Sequence, residues 1–196
     1  MRHRIALAAL VSIVGVAPIG AQSQLIVPKV GVRGQLITTA LYNESQQYAA
    51  WLMSAFDSIP ADKYGFRPTP AQMSVGAVAV HLEFANYLLC TFFSETPHPM
   101  TAKDSLPDSV KARWPKDTLT ARLHASFAFC KAAFDKLSDA NLTDSVATGP
   151  PFRGKRVRAL LVIAFTTDLS DHYSQMANYM RLIGLIPPSA YPPPKK

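Results

Sequence analysis

Four runs of apolar residues at steps of three and four, three of them closed by proline or glycine, restrict this 196-residue chain to one kind of architecture. In the first, starting near Gln35, the residues Leu36, Ala40, Leu41, Tyr48, Trp51, Leu52, Ala55 and Phe56 mark one helical face. Pro60 ends it, because the residue before a proline is turned away from the α region. The second opens at Ser74, a good N-cap, and runs from Val75 to near Phe93 with Val78, His81, Leu82, Ala85, Leu88, Leu89 and Phe92 facing inward. The third is expected to be capped by Thr118 or Thr120 and carries Leu123, Phe127, Cys130, Phe134 and Leu137. The fourth spans Arg156 to Leu182, with Gly184 at a C-cap position.

The connections are as informative as the runs. Residues 59–73 form a proline-rich loop in which Tyr64 and Phe66 are expected to plug the end of the bundle. Residues 95–117 and 139–155 are unusually long for compact domains, and a short helical turn is expected at Asp108–Arg113. No strand pattern competes. The expected fold class is therefore all-α: a four-helix bundle with long crossover connections. Residues 35–188 make the bundle, residues 23–34 an extended lead-in, and residues 189–196 a Pro/Lys-rich tail.

The N-terminus reads as an address. Met1-Arg2-His3-Arg4 is a basic head, Ile5–Ile19 are 15 residues without a charge, and Gly20-Ala21-Gln22-Ser23 are small and polar. This is the layout of a secretory signal peptide over residues 1–22, cut after Ala21 or Gln22. The run contains Pro18 and falls short of the ~20 residues a spanning helix needs, so no membrane span is expected after cleavage. The protein is expected to be exported, to a periplasm or to the medium.

Export bears on the two cysteines. An oxidising compartment allows Cys90 and Cys130 to close one disulfide, and the alternative is a pair of buried thiols packing as small hydrophobes. The formal charge is +7 for the whole chain and falls by two without Arg2 and Arg4. Arg153, Lys155, Arg156 and Arg158 cluster, but without interleaved aromatics or a binding motif. They read as a solvated basic end, and no nucleic-acid partner is expected.

Chemistry concentrates on the fourth helix. Asp168 and His172 are four apart, and Gln175 and Tyr179 continue the same face. Such a pair is either a metal-ligand set or a buried ion pair. His81 is the other histidine in phase with an inward face, whereas His98 lies between prolines in a loop and His124 only flanks its stripe. Two imidazoles and one carboxylate from two helices can converge in a bundle core. They would leave positions on an ion open, as catalytic rather than structural sites do. Gln175 and Tyr179 could orient a ligand or a substrate, or satisfy one another. Glu83, two residues after His81, points elsewhere.

Two segments also resemble the DinB-like family. One is Ile59-Pro60-Ala61-Asp62-Lys63-Tyr64-Gly65-Phe66-Arg67-Pro68-Thr69-Pro70, followed by Met73-Ser74-Val75-Gly76 and His81-Leu82. The other is His172-Tyr173-Ser174-Gln175, with Tyr179-Met180-Arg181-Leu182 and Gly184-Leu185-Ile186-Pro187-Pro188. The resemblance covers Gln35 to Pro188 and implies a helical bundle with one divalent metal (Zn, Ni, Mn or Fe) on His81, Asp168 and His172. Asp168 departs from the family pattern, which has a histidine there. Relatives include thiol-dependent transferases and an isomerase, which implies a small-molecule substrate and a metal-dependent hydrolase or transferase. The rival is a non-catalytic binding or stress-response bundle with a degenerate metal site. A bundle face could also serve homodimerisation.

Overall fold

The computed structural model describes residues 35–98 and 101–191. The expected signal peptide, the lead-in before Gln35 and the last five residues lie outside the described residues. Helix α1 is Leu36–Ser58, α2 Val75–Ser94, α3 a single turn at Asp108–Lys111, α4 Lys116–Ala133 and α5 Arg158–Leu182. Helices α1, α2, α4 and α5 form the four-helix bundle.

Local chemistry sets most boundaries. The Ser74 hydroxyl accepts a hydrogen bond from the Ala77 amide and so caps α2. Helix α5 ends at Gly184, whose φ of 82° is costly for other residues, and the Leu185 amide reaches back to the Met180 carbonyl. Helix α4 starts earlier than the threonine caps suggested. The Pro115 carbonyl takes the amides of Thr118 and Leu119, while the Thr120 hydroxyl bonds back to the Lys116 carbonyl inside the helix. Its last turn, Phe134–Lys136, tightens to a 3-10 helix.

Helix α2 packs between α4 and α5, and α1 packs against the same two from the opposite side. Between α2 and α4, Glu83 meets Arg122, Asn86 meets Ser126 and Cys90 meets Cys130, at separations of 39, 40 and 40 residues. A constant offset means that the two helices run parallel in fixed register. Between α2 and α5 the order reverses: His81 meets His172, and Phe93 meets Phe165 and Arg158. The directions are thus up for α1 and α5 and down for α2 and α4. Returning from the end of α2 to the start of a parallel α4 means crossing a 20-residue helix, about 30 Å. Residues 95–115 do this, with a 3-10 turn at Ala102–Ser105 and α3 on the way.

The connection from α4 to α5 joins ends that lie together, and it spends its length on a β-hairpin that the sequence did not announce. Strands Ser145–Thr148 (β1) and Gly154–Val157 (β2) pair antiparallel, with Ser145 opposite Val157. Each has four residues, too few for alternation to register as a pattern. Arg158 also departs from the expected solvated basic end. It is buried, donates to the Phe93 carbonyl at the end of α2 and pairs with Glu95. Arg153, Lys155 and Arg156 are exposed.

The core fills all four interfaces, with Leu52, Phe56, Leu82, Phe93, Leu123, Leu169, Met176 and Met180 at no more than 2% exposure. Tyr64 is buried and donates to the Phe56 carbonyl, while Phe66 packs edge-on against Tyr179, so both aromatics close one end of the bundle. Gly76 lets α3 approach α2. A Cβ there would sit 2.3 Å from the Ala112 carbonyl oxygen, which is backbone and cannot move aside alone. Cys90 and Cys130 form a disulfide with their Cα atoms 5.3 Å apart, both sulfurs buried.

Two stability measurements check this packing. Gly76→Ala is expected to cost about 1–3 kcal/mol through overpacking, read as a lower urea midpoint. Replacing both cysteines by alanine opens a closed loop spanning 40 residues. Chain entropy puts that loss at about 4 kcal/mol, or a melting temperature lower by about 10 °C.

Candidate metal centre

The site forms between α2 and α5. His81 sits in the second turn of α2, and Asp168 and His172 lie one turn apart on α5. Their ligand atoms all lie within 4.8 Å of one another. Asp168 Oδ1 is 3.7 Å from Nε2 of His81 and 3.7 Å from Nε2 of His172. The two rings are 4.6 Å apart, centre to centre. Both N···O separations are too long for hydrogen bonds. Ligands bound at ~2.0–2.2 Å to one ion sit about 3.0–3.5 Å apart, so the two 3.7 Å pairs need only a small contraction and the set as a whole must draw in from its 4.8 Å span.

The second carboxylate oxygen carries an independent sign. Asp168 Oδ2 is buried and has no hydrogen-bond partner. A buried anionic oxygen left unpaired is costly and rare. It is what a carboxylate looks like when its natural partner is a cation that no side chain supplies. The donor set of two imidazoles and one carboxylate therefore fits a divalent ion.

The orientation of His172 is fixed by a chain of hydrogen bonds anchored on the backbone. The Tyr179 hydroxyl donates to the Met73 carbonyl, an oxygen that can only accept. Its own oxygen therefore accepts from Gln175 Nε2, which turns Gln175 Oε1 toward His172 Nδ1 at 2.9 Å. Nδ1 must carry the proton in this arrangement. That frees Nε2, the nitrogen facing Asp168 and His81, as a lone-pair donor. Gln175 and Tyr179 thus set a tautomer. The sequence placed both on the right face, but nothing in it pointed to the Met73 carbonyl that gives the chain its direction.

Exposure across the site is graded. The His172 side chain is 10% exposed, Asp168 27% and His81 39%. His172 is therefore shielded, while His81 is the member of the set that solvent reaches most. The Asp168 carboxylate raises the pKa of His81 against the lowering effect of burial, and Asp108 on α3 adds to the rise. In the metal-free protein this pairing stabilises the fold below the ordinary histidine range. The contribution is lost as pH rises through the elevated value.

The other candidates fall away from the centre. Glu83 is buried in a paired network with Arg122, which also holds Asp104 and lies over the Trp114 ring. His124 is exposed and faces Asp57, and His98 stacks on Tyr87. Cys90 and Cys130 are joined to each other. Tyr179→Phe tests the hydrogen-bond chain: metal affinity measured by calorimetric titration is expected to fall about tenfold or more, with a stability loss of about 1–2 kcal/mol.

Comparisons with known proteins agree on the fold. A solved DinB-like protein from Bacillus cereus matches with a TM-score of 0.59 at 18% identity, covering 76% of this chain and 95% of its own. A conserved protein from Enterococcus faecalis matches at 0.58 and 17%, covering 75% and 96%. A mycothiol-dependent maleylpyruvate isomerase matches at 0.56 and 9%, covering 73% of this chain and 65% of the isomerase. No curated protein matches this chain. The family model for the DinB superfamily matches residues 46–176, a span that includes α2 with His81 and the α5 segment with Asp168 and His172. This chain belongs to the DinB superfamily.

Proposed function

We propose that this is an exported DinB-superfamily metalloprotein that binds one divalent ion through His81 Nε2, Asp168 and His172 Nε2 and acts as a hydrolase or transferase on a small molecule. The unpartnered Asp168 Oδ2 carries the reading, because it is a fully buried carboxylate oxygen of the site with no hydrogen-bond donor among the described residues. The uncharged run after a basic head at residues 1–22 supports export.

Each side chain has a task. His172, oriented by Gln175 and Tyr179, offers a lone pair from a buried and fixed position. Asp168 supplies a negative charge, which favours zinc, manganese, nickel or iron over softer ions. His81 completes the set from the exposed side, where a substrate can approach. A divalent ion held there would supply Lewis acidity to a substrate oxygen or sulfur.

One observation favours a second reading. The raised pKa of His81 is also what an imidazolium paired with Asp168 would show, and a non-catalytic bundle with a degenerate site needs nothing more. Elemental analysis of protein purified without chelator separates the two. The expected result is one ion per chain in the parent and none in the His81→Ala, His172→Ala double variant. Affinity is expected to weaken as pH falls through the elevated His81 value, because protons compete for the same nitrogen. A parent that carries no metal, and takes up none of the four ions on titration, overturns the metal reading.

A further inference from the structure

A large cleft among the described residues, about 760 Å³, lies between the loop after α1 and the segment from α3 to the start of α4. It has the size of a small-molecule site. None of the three metal-site residues lines it, yet it adjoins them. Met73, which lines the cleft, is the residue whose carbonyl anchors the hydrogen-bond chain to His172. Ala77, also on its wall, lies one turn before His81 on the same stripe of α2.

The charges in the cleft are one-sided. Arg67, Arg113 and Lys116 line it against a single carboxylate, Asp117. Lys116 is committed to the Asp57 carbonyl. Arg67 and Arg113 are exposed and, among the described residues, their guanidinium groups make no hydrogen bond or ion pair. Trp114 and the alanines of the lining give an apolar wall beside them. Two uncommitted guanidinium groups facing an apolar wall match an organic oxyanion, because each fork can bind carboxylate or phosphate through paired N–H donors.

We infer that this cleft is the substrate-anchoring subsite of the proposed metal centre, and that the substrate is a small organic anion, a carboxylate or a phosphate monoester. Its acid group sits on Arg67 and Arg113, its apolar part lies along Trp114, and its other end points along α2 toward His81. The inference rests on the metal reading for its role in turnover, but not for binding.

Calorimetric titration of the metal-stripped full chain with benzoate, phenyl phosphate and neutral benzyl alcohol tests it. At least one anion is expected to bind about tenfold or more tightly than the alcohol, and to weaken by a similar factor in an Arg67→Gln, Arg113→Gln variant. The tighter anion identifies the acid group. Both arginines are exposed, so the variant is expected to melt with the parent, and single substitutions serve should it not. Equal affinity for benzyl alcohol, undiminished anion binding in the variants, or no anion binding at all overturns the proposal. Because these titrations need no metal, their failure is distinct from an absence of metal in the parent protein.

Discussion

The bond from the Tyr179 hydroxyl to the Met73 carbonyl sets the depth of the site, and much of the molecule is arranged around it. It pins the last helix to the loop that launches α2. Because α2 and α5 run in opposite directions, the chain then descends both helices from one level. His81 lies six residues below the first residue of α2 and His172 seven below Tyr179. At 1.5 Å per residue these are descents of about 9 and 10.5 Å. The two imidazoles therefore arrive at nearly the same height. Asp168, one turn further down α5, brings its Oδ1 to the same distance from both.

Around that level the fold is asymmetric in a useful way. The α4 side of α2 is braced by the disulfide, by Asn86 on Ser126 and by the Glu83–Arg122–Asp104 network. The α5 side carries the unsatisfied carboxylate and the open imidazole. Helix α2 is thus held rigidly from behind while it presents His81 in front. A site assembled from two helices needs this kind of support, since a small rotation of either would separate the nitrogens.

What could be read from the sequence follows from what is local. The Ser74 cap and the Gly184 stop depend on neighbours within a turn or two, and the structure places them as the spacing implied; the first half of α1 is rotated from its expected face, with Leu36 and Ala40 exposed and Thr38, Tyr42 and Ser45 buried. Asp168 and His172 are four apart, so their convergence was legible; His81 joined them because it was the other histidine on an inward face. Long-range relations were not legible. Nothing in the residues around Cys90 or Cys130 states that α2 and α4 run parallel. Arg158 sits in a basic cluster, and its burial depends on the end of α2, 65 residues earlier. Arg67 and Arg113 line one cleft from loops 46 residues apart, a relation that no local pattern states.

The parallel pairing of α2 and α4 has a kinetic side. In an up-down bundle each helix docks on the one just made, across a short turn. Here α2 waits for a partner that arrives after a 21-residue crossing, and α5 must then find both α1 and α2 across most of the chain. Contacts of such sequence separation slow folding relative to locally connected bundles. Oxidation of Cys90 with Cys130 can then act as a ratchet. It becomes geometrically feasible when α4 docks in the native register, and once made it prevents that helix from leaving.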